Sequence, residues 1–315
     1  MAVYTTVNDA AAFVNPLEYT GTVRGVTEAL YPNINNAETT DAQSVTAFGS
    51  DGFSVGTSTT WNTSGAMMCW NWKAGTTTGI DATGVTITPT AYSFNQTAGC
   101  SIITYTGNGV AGATVPHGLG VVPGFIIVKC TSTTGSWAVF QGSSIMTATK
   151  FMYLDENQAA QSETARWNDT APTSVLFSLG TSSSGNTNTA TYVAYCFAPV
   201  QGYSKYGEYE GTGNADGTFI FTGFRPALII TKRVDSTSNW FLWDNKRNGY
   251  NPANDYFLID TTGAESPATN IDILSNGFKF KSSDVAFNAS AGDYIYMAWA
   301  ESPFVNDSGV PSNAR

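Results

Sequence analysis

Short apolar runs of four to seven residues recur along the chain, and each is bounded by Gly, Pro or Asn. Their enrichment in β-branched and aromatic residues predicts strands. Phe125–Lys129 is apolar on both alternating faces, which predicts a strand at the centre of a sandwich. Phe278–Lys281 alternates apolar with polar residues and predicts one solvent-facing side, and Val85–Thr88 is a candidate for a further strand. The pattern predicts an all-β protein.

The same order of landmarks occurs twice in the second and last thirds of the chain. The matching landmarks are Tyr105–Gly109 with Tyr209–Gly213, Pro123–Lys129 with Pro226–Lys232, Trp137 with Trp240, and Tyr192–Val200 with Tyr296–Phe304. The first and last pairs are offset by 104 residues and the two middle pairs by 103, so small insertions cancel within the unit. An internal repeat of this length indicates sister modules. Many short strands separated by frequent turn signals favour antiparallel β-sandwich or jelly-roll modules in tandem.

The N-terminal third carries both ends of the repeated unit without its middle. Tyr19–Thr22 resembles the opening, and Met67–Trp72 occupies the place of the closing strand. The predicted division is an N-terminal arm at 1–18, a truncated first module at 19–72, a connection at 73–104, full modules at 105–200 and 209–304 with a linker at 201–208, and a C-terminal tail at 305–315. Within the arm, Ala10–Val14 could form a short helix capped by Asn8 or Asp9, or the arm could extend and dock on a neighbouring subunit.

Composition narrows the possible functions. Charged residues make up only 12% of the 315 residues, about half the usual share. The formal net charge of −10 and the lack of a Lys/Arg cluster argue against nucleic acid as a partner. The chain has 8 Trp, 15 Tyr and 18 Phe, enough aromatic surface to favour a folded state over disorder. No signal peptide and no membrane-spanning segment is predicted.

Cysteine and acidic motifs give no clear metal or cofactor site. Cys69, Cys100, Cys130 and Cys196 fit neither paired zinc ligands nor a dense disulfide framework, so we expect buried thiols. Asn214–Gly217 resembles the start of a calcium loop but lacks the later bidentate Glu, and an ordinary β-turn is favoured. No metal and no cofactor is predicted.

Candidate catalytic groups do not recur where the scaffold repeats. The single histidine, His117, lies in a turn motif whose counterpart, Phe221–Phe224, has none. Glu208 and Glu210 could form the carboxylate pair of a glycosidase, but Thr106 replaces Glu210 in the sister module. Asp155–Glu156 is a further acidic candidate after a strand. These mismatches favour a protein that is not an enzyme.

Tryptophans provide the better lead for binding, because sugars stack on exposed aromatic faces. Trp137 and Trp240 are equivalent across the modules, so core packing is favoured for both. Trp243, followed by Asp244 and Arg247, has no match in the sister module. We therefore predict that Trp243, Asp244 and Arg247 form an exposed loop that binds a ligand such as a surface glycan.

Several of these motifs together carry a family resemblance. The motifs are Tyr105–Gly109, His117–Gly120 with Pro123 and Ile126–Lys129, Tyr192–Phe197, the opening Tyr4–Asp9 with Tyr19–Gly21, and the ending Ala300–Phe304 with Gly309–Pro311, Ala314 and Arg315. Over nearly its whole length the chain resembles the modular virion proteins of marine tailed bacteriophages. The resemblance implies a structural component with jelly-roll or concanavalin-like modules on the tail or head surface. The absence of a heptad or collagen-like shaft favours a capsid decoration or tail appendage over a fibre.

Three functional hypotheses follow. The leading one is a structural protein on the surface of a bacteriophage virion, either a tail appendage or fibre or a capsid decoration, which contacts other virion proteins and itself, preferably as a homotrimer. The second is a glycan-binding adhesin that contacts the host surface through the loop from Trp243 to Arg247. The third is a glycan depolymerase, which would require a groove with two carboxylates.

Overall fold

The computed structural model describes residues 2–6, 19–21, 23–49, 52–62, 67–72, 74–247 and 251–300. Strands account for 42% of the chain and helices for 3%, and all the paired strands are antiparallel, which confirms the predicted all-β sandwich class. Neither of the two short helices in these ranges is long and apolar enough to cross a membrane. The predicted helix at Ala10–Val14 and the predicted tail at 305–315 lie outside the described residues.

Module 3 (204–300) contains one eight-stranded sheet. Its elements are β17 Ser204–Glu210, β18 Phe219–Phe221, β19 Pro226–Arg233, β20 Phe241–Asp244, β21 Ala253–Leu258, β22 Ser266–Leu274, β23 Gly277–Phe280, α2 Val285–Asn288 and β24 Asp293–Ala300. The strand order is β17-β24-β19-β20-β21-β22-β23-β18. The two strands at the ends of this order follow each other in the chain.

Module 2 (91–197) has the same core arrangement and an additional strand at its start. Its elements are β8 Ala91–Asn95, β9 Cys100–Thr106, β10 Ala113–Pro116, β11 Phe125–Cys130, β12 Ala138–Gln141, β13 Lys150–Tyr153, β14 Gln161–Ser162, α1 Thr164–Trp167, β15 Leu176–Leu179 and β16 Thr191–Phe197. Seven strands form a sheet in the order β14-β13-β12-β11-β16-β9-β8, and β10 pairs with β15. Strands β9, β16, β11, β12 and β13 therefore correspond to β17, β24, β19, β20 and β21.

Module 1 (2–72) consists of smaller sheets. Its strands are β1 Ala2–Thr6, β2 Tyr19–Gly21, β3 Gly25–Leu30, β4 Thr39–Thr40, β5 Val45–Phe48, β6 Phe53–Val55 and β7 Met67–Asn71. β2, β3 and β4 form one sheet, β5 pairs with β6, and β1 pairs with β7. The segment interpreted as an N-terminal arm thus contributes a strand that pairs within its own chain.

The landmark chosen as the start of each module marks the end of the opening strand, and this explains where the observed elements depart from the predicted boundaries. β9 and β17 begin at Cys100 and Ser204, ahead of the predicted module starts, and β8 lies inside the predicted connection. The Tyr-x-Gly landmark lies at the end of the opening strand, where a Cβ on Gly107 would lie 2.4 Å from the Thr187 carbonyl oxygen and one on Gly211 2.2 Å from that of Ala289. Only glycine fits these close approaches.

The two faces of β11 are buried for different reasons. Ile126 and Val128 point into the interior of module 2, whereas Phe125 and Ile127 belong to a core that extends into module 3. The predicted burial of both faces is therefore confirmed, but the second face is covered by a neighbouring module rather than by a second sheet of the same sandwich. A strand between two modules needs apolar residues on both sides.

Of the remaining local predictions, those for Phe278–Lys281 and the cysteines can be compared with burial, and that for Val85–Thr88 with the strand assignment. Phe278 and Phe280 are buried and Lys281 is exposed, as the alternation predicted. The predicted strand at Val85–Thr88 is wrong, although Ile87 is buried. All four cysteines are free thiols: Cys69 is half-buried and the other three are buried.

Candidate functional site: the repeated junction between modules

Each full module presents one buried lysine and one buried tryptophan to the module before it. Lys129 and Trp137 of module 2 and Lys232 and Trp240 of module 3 are at most 1% exposed. Each lysine lies in the central strand β11 or β19, and each tryptophan immediately precedes β12 or β20. These residues form the candidate functional site, a junction between consecutive modules.

Among the described residues, five hydrogen bonds to backbone carbonyls cross the first junction, between modules 1 and 2. They run from Trp137 Nε1 to the carbonyls of Tyr31 and Ile34 (both 3.1 Å), from Lys129 Nζ to that of Asn35 (3.4 Å), from Gly135 N–H to that of Asn35 (2.8 Å), and from Glu38 N–H to that of Thr131 (2.9 Å). All five of these bonds end on backbone carbonyls, and a side-chain hydrogen bond between Arg24 of module 1 and Tyr195 of module 2 also joins the two modules.

The second junction, between modules 2 and 3, repeats this pattern. Its bonds run from Trp240 Nε1 to the carbonyl of Tyr153 (2.8 Å), from Lys232 Nζ to those of Asn157 (3.3 Å) and Gln158 (2.8 Å), from Ser238 N–H to that of Asn157 (2.8 Å), and from Ala160 N–H to that of Val234 (2.8 Å). Each residue on the module 3 side lies 103 positions after its counterpart in module 2, as Lys232 does after Lys129. Tyr153, Asn157 and Ala160 each lie 122 positions after Tyr31, Asn35 and Glu38. The chain therefore builds one head-to-tail interface twice.

The ammonium groups at the junctions are held by carbonyl dipoles. Lys232 Nζ also donates to the carbonyl of Arg233 (2.9 Å), and Lys129 Nζ to that of Cys130 (2.7 Å). Burial removes hydration from the charged form and lowers the pKa of each lysine to about 8. A lysine with this environment serves as a fixed donor between modules.

An aspartate orients each junction tryptophan. Asp155 Oδ1 accepts from Trp137 N–H (2.9 Å), and Asp260 Oδ1 accepts from Trp240 N–H (3.1 Å). Burial raises the pKa of Asp260 to about 6, although the bond from Trp240 N–H acts in the opposite direction. The sequence prediction singled out Asp155 as a candidate acid, and the structure gives it this positioning contact.

An aromatic cluster connects all three modules. Trp72 follows β7 of module 1, Phe197 ends β16 of module 2, and Tyr206 and Trp299 lie on β17 and β24 of module 3. The ring of Trp72 lies 5.9 Å from that of Phe197 and 5.2 Å from that of Trp299, both edge-on. Tyr206 lies 5.7 Å from Trp299. Edge-to-face pairs at these separations stabilise the contact beyond simple area burial.

The predicted exposure of Trp243 is wrong. Trp243 is fully buried, and its ring packs against those of Phe241 (5.4 Å) and Phe287 (5.7 Å). A sugar cannot reach this ring. The tryptophan follows the alternation of β20, which turns it into the core of module 3, and no sequence signal at Trp243 alone distinguishes this from an exposed position.

Asp244 and Arg247 form a buried ionic network instead of a binding surface. Arg247 Nε donates to Asp244 Oδ2 (2.5 Å), its Nη1 donates to Glu265 Oε2 (2.6 Å), and its guanidinium stacks over Phe257 at 4.5 Å. The Arg247 side chain is 1% exposed. Arg247 therefore ties the start of the loop after β20 to the strand region that follows β21.

The remaining acidic candidates have structural contacts. Glu208 and Glu210 are exposed, and Glu208 accepts from Ser144 Oγ (2.6 Å) in module 2. Asn214 Oδ1 accepts from Asp216 N–H (2.9 Å), the geometry of an ordinary Asx turn. Among the described residues no group of three or more His, Cys, Asp or Glu side chains could hold a metal ion.

His117 supports a turn next to a small cleft. Its Nδ1 accepts from Leu119 N–H (3.2 Å), and its Nε2 lies 3.1 Å from the Thr173 carbonyl oxygen. Burial lowers the pKa of His117. The cleft is lined by Gly79, Asp81, Phe94, Gln96, Gly118, Gly120, Ser174 and Val175. The imidazole is fully buried.

Two buried asparagines were missed by sequence reasoning. Asn186 Oδ1 accepts from Asn108 N–H (2.9 Å), and its Nδ2 donates to the carbonyl of Gly180 (2.8 Å). Asn288 makes the corresponding bonds with Thr212 N–H (2.9 Å) and the Ser282 carbonyl (2.7 Å). Each asparagine precedes the closing strand of its module, and the two lie 102 residues apart. Alignment of the two modules would therefore have shown that they are equivalent. Each fastens the Gly-rich turn of its module to the closing segment.

A protein-family model described as "Domain of unknown function (DUF7483)" matches residues 10–303. The chain belongs to this family. The match includes both junctions and all of modules 2 and 3, so the head-to-tail arrangement lies inside the family region. No curated protein and no solved structure matches the chain.

Proposed function

We propose that this chain is a structural protein whose modules dock into one rigid body on the surface of a bacteriophage virion, as a tail appendage or fibre or as a capsid decoration. The observation that carries the proposal is the repeated junction. A chain that uses the same buried Lys and Trp contacts twice, at constant sequence offsets, maintains a fixed relation between modules, which is the property a structural part requires.

The virion location rests on the resemblance of the sequence motifs to modular phage proteins. In this proposal the chain's partners are other virion proteins and further copies of itself, with a homotrimer as the preferred assembly. The low content of charged residues supports close packing against neighbouring proteins, because few charged side chains are available to prevent pairing at the sheet edges.

Imaging of intact particles at a resolution that traces the chain tests the location. A capsid decoration would occur in many more copies than a tail part, so the copy number distinguishes the two forms of the proposal. Particles that contain no copy of the chain would overturn the virion assignment.

The structural role has its own test in the purified protein. If the junctions couple the modules, calorimetry should record a single cooperative unfolding transition, and Trp240→Ala should separate the unfolding of module 3 from that of the rest. Trp240 donates its indole N–H to the Tyr153 carbonyl and packs against Phe125, so its removal breaks two contacts between module 3 and module 2. Separate transitions in the unaltered chain would contradict rigid docking.

A further inference from the structure

In the part of the chain that the structure describes, no strand pairs with the outer edge of β18 in module 3. Thr218 carbonyl accepts from Phe280 N–H (3.2 Å), so these two residues form a hydrogen-bonded pair between β18 and β23. Such pairs alternate with non-hydrogen-bonded ones along an antiparallel ladder. Phe219 and Phe221 therefore direct their N–H and C=O groups away from β23, toward the edge.

The side chains on this edge are also unusual. Phe219 is 44% exposed and Phe221 is 56% exposed, whereas Ile220 between them is buried. Lys205 Nζ donates to the Phe221 carbonyl (2.8 Å) and lies 5.3 Å from the centre of its ring. Lys205 thus donates to the outward carbonyl of Phe221. The N–H and C=O of Phe219 face outward beside the exposed rings of Phe219 and Phe221.

The corresponding edge of module 2 is covered by the chain itself. In module 2 the buried Val115 of β10 pairs with Phe177, and in module 3 the buried Ile220 of β18 pairs with Phe278. Thr114, the residue before Val115, therefore occupies the position of Phe219. In the covering segment, Ile87 N–H donates to the Thr114 carbonyl (3.0 Å), and Thr114 N–H donates to Thr86 Oγ1 (2.8 Å). Among the described residues, the same edge position is therefore covered by another segment in module 2 and uncovered in module 3.

Connection length explains the difference. Residues 72–90 lie between β7 and β8, and part of this stretch reaches back to cover β10. Only residues 198–203 lie between β16 and β17, and this connection is too short to form a similar cover. An exposed apolar edge with open backbone groups favours pairing with another strand.

We propose that a second copy of this chain covers the edge, with β18 pairing antiparallel to β18 of the other copy about a twofold axis at Phe219. A short strand is its own complement under such an axis, because the Phe219 N–H of each copy meets the Phe219 carbonyl of the other. The pairing leaves the Lys205 contact in place. It also brings the Phe219 and Phe221 rings of both copies together on one face.

The charges along the edge fit this partner. Charged groups near β18 include Lys205, Lys279, Asp216 and Glu210, the last of which accepts at its backbone carbonyl from Thr218 Oγ1 (2.9 Å). Asp216 pairs with Lys279 (2.5 Å) and keeps 75% of its side chain exposed at one end of β18, and Lys205 lies at the other end. Antiparallel pairing places Asp216 of each copy toward Lys205 of the other. Although the chain carries a formal charge of −10, copies that meet at this edge bring opposite charges together.

This contact goes beyond the proposed function, because it depends on the edge of module 3 and not on a virion location. It is a small contact, so we expect weak association that increases with protein concentration. Analytical ultracentrifugation of the full chain over a concentration series measures it. The unaltered chain should shift from monomer toward dimer, and Phe219→Lys, which places like charges opposite each other, should weaken association at least about tenfold.

Matched variants make the result specific. Val110→Lys changes an apolar residue that is 58% exposed in module 2 and should leave association unchanged. Phe219→Pro removes the outward N–H at an edge position that tolerates proline and should also abolish the dimer, which decides the matter if Phe219→Lys fails to fold. A chain that stays monomeric, or one whose association survives both Phe219 variants, would overturn the proposal. A trimer unaffected by these variants would leave the proposed function standing while excluding this edge.

Discussion

The buried junction lysines predict an unusual dependence of stability on pH. Burial lowers the pKa of Lys232 from 10.5 to about 8 in the folded chain. Between these two pH values the unfolded chain keeps the proton that the folded chain has lost, so the unfolded state binds more protons and stability rises with pH. The full difference of about 2.5 pKa units corresponds to about 3 kcal/mol.

Lys232→Met isolates this contribution. At neutral pH the substitution removes the Lys232 donor from the carbonyls of Gln158 and Arg233, at a cost of about 1–3 kcal/mol each, whereas the Asn157 carbonyl keeps its bond from Ser238 N–H. It also removes a buried charge, which recovers about 3 kcal/mol. We therefore expect the two chains to be of similar stability near pH 7, and the unaltered chain to gain on the variant by up to about 3 kcal/mol near pH 10.

Urea unfolding followed by tryptophan fluorescence at a series of pH values gives this difference directly. The alkaline titration of tyrosines and cysteines affects both chains and cancels when they are compared. Lys129→Met should show the same trend, because Lys129 occupies the same position in the first junction and has the same lowered pKa. Lys281→Met, at a side chain 40% exposed, controls for the change in net charge. A difference that stays constant or shrinks as pH rises would refute the description of the junction lysines.

Three further predictions concern the interior of the modules. Arg247→Met should destabilise the chain by about 3–5 kcal/mol in urea unfolding, because it leaves carboxylates buried without their partner, and a loss below about 1 kcal/mol would contradict the buried network. Asn186→Ala and Asn288→Ala should each cost about 2–4 kcal/mol by the same measurement, since each leaves several backbone groups unpaired, and a cost in only one module would refute their equivalence. Gly118→Ala should lower the thermal midpoint, because φ is +72° there and a Cβ would lie 2.8 Å from the Phe94 ring, and an unchanged midpoint would show that the turn relaxes.

Several features of the fold could be predicted because they depend on local sequence or on the repeat. The alternation in Phe278–Lys281 predicted which side of that strand faces solvent, and the continuous apolar run in Phe125–Lys129 predicted that both faces of its strand are buried. The equivalence of Trp137 and Trp240 correctly predicted that both are buried. Each of these properties is encoded within a few residues or in the comparison of two similar segments.

The exposure of Trp243 could not be judged in this way. Its neighbours Asp244 and Arg247 are polar, and such a run is typical of a surface loop. The interior accommodates both charges only because Glu265, distant in sequence, completes the network and Phe257 stacks on the guanidinium. Burial of a charged group depends on partners that the chain supplies from elsewhere, and local sequence does not contain them.

The sequence by itself determined the strand content, the repeated unit and the residues that recur in it. Tertiary structure alone decided what the recurring Lys and Trp contact, because their acceptors are backbone carbonyls of the preceding module, and any residue type supplies a carbonyl. It also decided the surroundings of two equivalent edge positions, since the segment around Thr86 covers Thr114 whereas no described segment covers Phe219. A contact made through the main chain leaves no side-chain signal, and therefore only the folded arrangement reveals it.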